Sequence, residues 1–324
     1  MYRVVSLFCG CGGADQGCMG AFQYNGKRYP RLPFDVVYAT DIDQKALNTY
    51  NLNFRGGEVV CGDITNISTD DIPDCDVVLG GFPCQSFSTV NPTKDPFDAR
   101  GNLYKEMVRV VAAKKPKAFI AENVKGFMTL KGGSIFKKVI SAFEAAGYKT
   151  YSKLVNASYH EVPQRRERCI IVGIRNDIEA EFIFPDEITK DSPVPLSVAV
   201  PELAISDQKY YFSQKAVEGM KNAKPNMKRG LWQKLDEPCL TVTSHLAKVS
   251  LNSRDPVLLV NPERELYRRF TPREAARIQS FPDEFVFAGS EADAYRQIGN
   301  AIAPVMFWHI SNSLANLLDD NCSK

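Results

Sequence analysis

Arg3-Val4-Val5-Ser6-Leu7-Phe8-Cys9-Gly10-Cys11-Gly12-Gly13-Ala14 is the stretch on which the fold turns. The apolar run from Arg3 to Phe8 reads as a buried strand, the glycines as a turn, and a helical pattern begins at about Ala14. A strand that passes through a glycine turn into a helix lets the backbone come close to a ligand and leaves helix N–H groups free to meet it. Several nucleotide-like ligands use such a turn, so this stretch indicates a fold class before it indicates a ligand.

Working outward, Phe34 to Thr40 (FDVVYAT) reads as a second strand, and Asp43 caps a helix through Ala46, Leu47 and Tyr50. Val59-Val60, Asp76 to Leu79, Lys117 to Ala121 and Arg168 to Ile174 are further strand candidates, with a helix over Tyr104 to Ala113. Strands alternating with helices make an α/β protein with a mostly parallel sheet and helices on both faces. From about 176 to 261 the periodicity fails and prolines recur, which marks a small irregular domain. The expected division is therefore 1–175, 176–261, and a segment 262–324 that returns to the first domain. Thr271, Pro272 and Glu274 spell a helix start with a reciprocal cap, and that helix should stop before Pro282. A last amphipathic helix is expected from about Val305 to Leu318.

The 324 residues are 44% hydrophobic with a net charge of +2, enough apolar surface for a core and no sign of disorder. No run approaches the ~18 apolar residues of a membrane span, and the N-terminal run is too short for a signal peptide, so a cytoplasmic protein is expected. Nine cysteines scattered from Cys9 to Cys322 do not look like a disulfide framework. Cys9, Cys11 and Cys18 lack a fourth zinc ligand nearby, and no metal is expected. Between Ser206 and Arg254 nine basic residues face four acids, which fits either a solvated surface or a module that meets phosphates.

Chemistry-bearing residues fall at strand ends. Asp41 follows the second strand, where a carboxylate can take ribose hydroxyls, although a loop acid would look the same. Asp63 in Gly62-Asp63-Ile64 follows the third. Cys84 lies in Gly80-Gly81-Phe82-Pro83-Cys84-Gln85-Ser86 after the fourth. A cysteine is ordinarily a core residue, but this one is flanked by loop-forming residues. Glu122 ends the next strand, and Arg165, Arg166 and Arg168 in Gln164–Arg168 enter another; those arginines either form surface ion pairs or hold a polar ring or a phosphate.

In their order and spacing, FCGCGG (8–13), Asp41, GDI (62–64), GFPCQSFS (81–88), ENV (122–124), QRRER (164–168), LYRRFTPREAARIQSFPD (266–283) and QIGNAI (297–302) resemble the cytosine-5 DNA methyltransferase family. The resemblance spans nearly everything except about 176–261, where that family keeps its target-recognition region. It implies a Rossmann-like S-adenosylmethionine-dependent fold, double-stranded DNA as partner, and a monomer. By resemblance Cys84 attacks cytosine C6, Glu122 holds the N3 and N4 edge, Arg166 and Arg168 line the base pocket with Arg168 at O2, and Asn123 orients the loop. The cofactor site it implies comprises Phe8, Gly10, Gly12, Gly13, Asp41, Ile42, Asp63, Ile64, Pro83, Leu103, Asn300 and Ala301, with Phe8 stacked on adenine. Gln85, Ser86, Ser88 and Thr241 are the implied DNA contacts, and the target base must flip out of the duplex. The setting implied is a restriction–modification system or an unpaired bacterial methylase. The competing readings are a transfer-RNA cytosine-5 methyltransferase of the same fold, a silent DNA-binding paralogue and, more distantly, a nicotinamide dehydrogenase.

Overall fold

The computed structural model describes residues 1–83, 103–223, 232–251 and 255–322. Seven strands form one sheet: β1 (Tyr2–Leu7), β2 (Phe34–Asp41), β3 (Glu58–Cys61), β4 (Val77–Gly80), β5 (Ala118–Val124), β6 (Tyr148–Asn156) and β7 (Glu167–Arg175), in the order β3-β2-β1-β4-β5-β7-β6. The five strands from β3 to β5 run parallel. Strand β7 is antiparallel to both of its neighbours, β5 and β6, which strand patterning in the sequence does not reveal. The helices are α1 (Gly13–Met19), α2 (Gln44–Asn53), α3 (Leu103–Lys114), α4 (Ser134–Ala145), α5 (Gln214–Lys221), α6 (Pro272–Ile278), α7 (Glu291–Asn300) and α8 (Pro304–Cys322).

The alternation of side chains along the strands explains the layers. Val4, Leu79, Ile120, Ile170 and Val172 point to one face, where they pack with Val305, Met306, Ile310 and Leu314 of α8. Val5, Leu7, Val78, Phe119 and Ile171 point to the other, against Met107, Val110 and Val111 of α3 and Val139 and Phe143 of α4. A fully buried aliphatic side chain contributes ~1.5–3 kcal/mol, so slipping one strand by one residue would forfeit both layers together. Strand order reverses between β1 and β4, and a crevice opens beyond the carboxyl ends of strands at such a switch point.

The segment expected to be irregular contains α5 and the short strand Cys239–Leu240, which pairs in parallel with Gln164–Arg165. It does not form a core of its own throughout. Leu196, Ala199, Cys239, Val242 and Leu258 share a cluster with Phe270, Ala276, Ile278, Tyr295 and Ile298. Phe182 meanwhile packs into the first cluster, so the divisions expected at 176 and 262 do not coincide with the cores. A smaller cluster of Val217, Val249, Leu251 and Val257 lies beside α5. Helix α6 begins as its sequence implies: the Thr271 hydroxyl accepts from Glu274 N, and the Glu274 carboxylate accepts from Thr271 N.

Candidate active site

The crevice is a cavity of about 980 Å³ walled by the ends of β1, β2, β4 and β5 and by the 299–302 turn. Phe8 follows β1 with φ 55, a left-handed backbone that few aromatic residues adopt, and it lines this cavity. Strain of this kind persists where the surrounding structure holds it. The glycine turn that follows is tied down by Asp41, whose Oδ2 accepts from Gly10 N at 2.8 Å and whose Oδ1 accepts from Asp43 N at 2.9 Å. Burial raises the Asp41 carboxyl from its usual range. Asp41 is therefore already engaged through both oxygens, each of which keeps a further lone pair.

Gly13 stands where no side chain fits, because a Cβ there would come within 2.4 Å of the Ile302 carbonyl. That contact brings the first turn of the protein against its 301–302 segment. Gly12 faces away from the cavity, towards the ring of Phe54. Ile42, Ile64, Pro83, Leu103, Asn300 and Ala301 all line the cavity, with Ile42 69% exposed. Asp63 stands at the rim, where Oδ1 accepts from Thr65 N at 3.0 Å and Thr65 Oγ1 at 2.8 Å; these two bonds lower its pKa. Thr40 also lines the cavity, and its buried hydroxyl has no hydrogen-bond partner among the described residues.

At the β5 end, Arg168 Nε meets Glu122 Oε1 at 2.8 Å, with the two side chains 12% and 13% exposed. Both line the cavity beside Gly81, Phe82 and Pro83. Asn123 is buried and donates from Nδ2 to Phe82 O at 3.0 Å, which fixes the chain just before Cys84. Cys84, Gln85, Ser86 and Ser88 lie outside the described residues.

Arg166 departs from its expected place in the base pocket. It borders the cavity but is fully buried, and its terminal nitrogens donate to the carbonyls of Val242, Gly299 and Ala301. Thr241 does not line the cavity; its hydroxyl donates to Arg165 O at 2.9 Å beside the Gln164–Arg165 strand. Among the nine cations of 206–254, Lys209, Lys221 and Lys234 pair with Glu291, Glu265 and Glu237, and Lys224, Lys228, Arg229 and Arg254 lie outside the described residues. Among the described residues no cluster of histidine, cysteine and acidic side chains could hold a metal ion, and no helix is long and apolar enough to cross a membrane.

The family model for C-5 cytosine-specific DNA methylases matches residues 2–316. The chain belongs to that family. It is a DNA cytosine-5 methyltransferase of a family that depends on S-adenosylmethionine. It is 35% identical over 309 residues to the Type II methyltransferase M.NlaX of Neisseria lactamica, covering 93% of this chain and 92% of that protein. It is 34% identical to M.NgoFVII of Neisseria gonorrhoeae, covering 99% and 88%. Among solved structures, a putative DNA modification methyltransferase encoded within an E. coli prophage superposes with a TM-score of 0.72 at 25% identity, covering 98% of this chain and all of that one. Spodoptera frugiperda DNMT2 superposes with a TM-score of 0.77 at 19% identity over 98% and 100% of the two chains, a likeness of fold.

Two residues that structure this methyltransferase's site lie in the matched motifs but carry no role that the sequence shows. Gln279 and Gln164 are buried amides bonded to each other at 2.5 Å, and Gln279 also donates to Ala301 O. A glutamine beside an apolar helix looks like surface, and only the fold shows that both are inside.

Proposed function

We propose that the cavity binds S-adenosylmethionine and a flipped-out cytosine side by side, with Cys84 as the nucleophile and Glu122 and Arg168 holding the base. The ion pair of Glu122 and Arg168 over the cavity, next to the Phe82–Pro83 approach to Cys84, carries this reading. Cytosine C5 is a poor nucleophile until a thiolate adds at C6, which breaks the aromaticity and makes C5 enamine-like. A carboxyl at the N3–N4 edge favours the protonated ring that accepts this electron density, and Glu122 is the residue for it. Arg168 holds the Glu122 carboxylate in place and has further guanidinium donors for the base oxygen.

The donor set on the other side suits the cofactor. Phe8 and the exposed Ile42 offer apolar faces for an adenine, Asp63 stands at the rim for its amino group, and Asp41 keeps lone pairs for ribose hydroxyls. Asn300, exposed at the end of α7, stands where it would serve the methionine end. When bound, S-adenosylmethionine supplies an electrophilic methyl group on a sulfonium. Transfer of that methyl group to C5 would leave S-adenosylhomocysteine, and loss of the C5 proton with release of the Cys84 sulfur from C6 would then restore the aromatic ring as 5-methylcytosine.

The substrate we assign is a specific sequence in duplex DNA, methylated in the bacterial cytoplasm as part of a restriction–modification system or by an unpaired methylase. Full-length similarity to Type II methyltransferases supports it. Transfer of a labelled methyl group to unmethylated phage DNA, with transfer RNA as the competing substrate, tests the choice. Label in RNA alone would replace the DNA reading. A gel-stable adduct with DNA containing 5-fluorocytosine, absent in Cys84→Ser, tests the nucleophile, and methylation by Cys84→Ser would refute it.

A further inference from the structure

Arg166 carries a charge into the protein interior without an acid to meet it: among the described residues, no carboxylate lies within ion-pair reach. Burial depresses its pKa, with the neighbouring Arg168 adding to the shift and the more distant Glu122 carboxylate opposing it. An uncompensated buried charge costs several kcal/mol, so its partners must be good ones. They are three carbonyls: Val242 at 3.0 Å, Gly299 at 3.0 Å and Ala301 at 2.8 Å. Gly299 and Ala301 belong to the end of α7, where carbonyls lack helical donors and the helix dipole favours a cation. Val242 belongs to the segment between β7 and α6, beside the strand Cys239–Leu240.

The surrounding contacts join the same three pieces of chain to a fourth, Ile278 and Gln279 at the end of α6. Gln164 accepts from Val242 N at 2.8 Å and donates to Ile278 O at 3.2 Å and to Gln279 Oε1. Gln279 donates to Ala301 O at 2.5 Å. Gly299 lies so close to this segment that a Cβ would come within 2.2 Å of Ser244 N. Apart from the Arg166 guanidinium, every donor and acceptor in these contacts is backbone or amide.

We propose that Arg166 is a positioning residue that locks the 241–246 segment, which carries the DNA contact Thr241 implied by the family resemblance, to the 299–301 edge of the cofactor cavity, so that occupancy of the cavity stiffens that segment. It acts through Val242 and Ala301, without touching the base. The proposal rests on the cofactor reading given above. A lysine keeps the charge but offers a single point donor, which cannot span three carbonyls as the guanidinium fork does.

Hydrogen exchange on the full chain, with and without S-adenosylhomocysteine, separates the two ideas. In the wild type the ligand should slow exchange at 8–13 by direct contact and at 241–246 through the joint, the latter on the order of fivefold. In Arg166→Lys the protection at 8–13 should remain and that at 241–246 should vanish, with the KM for phage DNA raised more than kcat is lowered. Should Arg166→Lys not fold, Gln279→Leu removes one bond to Ala301 and should give a partial loss. No protection at 8–13 in the wild type would reject the cofactor site itself. Protection at 8–13 with none at 241–246, or an unchanged pattern in the folded variant, would overturn the joint.

Discussion

Arg168 and Glu122 reach each other from adjacent antiparallel strands, Nε to Oε1 at 2.8 Å, although Arg168 stands opposite Val124 and Glu122 opposite Ile170 in the β7–β5 register. The offset of two residues keeps both side chains on one side of the sheet, at the end that borders the cavity. Glu122→Gln keeps the shape but cannot favour the protonated base, so methyl transfer should fall by about 10²–10⁴ while the melting temperature stays close to the wild type. Arg168→Lys should lower kcat in the same direction because the two-donor geometry is lost. Single-turnover methylation with a thermal melt checks both. Full activity in Glu122→Gln would remove the carboxylate from the mechanism.

Asp15 is buried beneath the glycine turn, where Tyr50 donates to Oδ1 at 3.1 Å and Oδ2 has no hydrogen-bond partner among the described residues. Burial pushes its carboxyl up to about 6, against the Tyr50 hydrogen bond that pulls it down. The folded pKa is thus above the unfolded value of 3.8, so the folded state holds its proton longer, and this contribution to stability is lost as pH rises from about 4 through 6. Asp15→Asn should therefore be more stable than the wild type at pH 7.5, on the order of 1–3 kcal/mol, with the difference shrinking towards pH 4. Urea denaturation of both proteins across that range measures it. A constant difference would show that Asp15 does not titrate there.

Gly13 and Gly219 make opposite cases. A Cβ on Gly13 would strike the Ile302 carbonyl at 2.4 Å, whereas one on Gly219, in helix α5, meets nothing within 4 Å. Gly13→Ala should destabilise by about 1–3 kcal/mol and weaken S-adenosylhomocysteine binding. Gly219→Ala should stabilise by about 0.5–1 kcal/mol through helix propensity. Chemical denaturation and calorimetric titration compare them directly.

Arg268 and Glu274 form a buried bidentate pair at 2.8 and 2.6 Å, and Arg268 also donates to the carbonyls of Leu203 and Glu202. Arg268→Met strands the Glu274 carboxylate, and the loss should be ~3–5 kcal/mol. Removing both charges with Arg268→Met and Glu274→Leu should cost less than the sum of the single variants, which a double-mutant cycle in urea reads out.

The α/β class, the glycine turn after β1, the capped start of α6 and the acids at the strand ends, Asp41, Asp63 and Glu122, are all legible along the chain. These features are local. A strand needs a run of apolar residues, a cap needs a threonine and a glutamate three residues later, and both can be read from neighbours along the chain. Packing, and not the local sequence, sets β7 between β5 and β6 in the opposite sense, so that Arg168 meets Glu122 rather than solvent. It also decides that Arg166, one residue before β7 and alike in type, turns inwards to three carbonyls more than 70 residues away in sequence. Alternate residues of an extended chain face opposite sides, but what waits on each side is set by packing between distant segments, and a guanidinium does not signal in sequence which partner it will find.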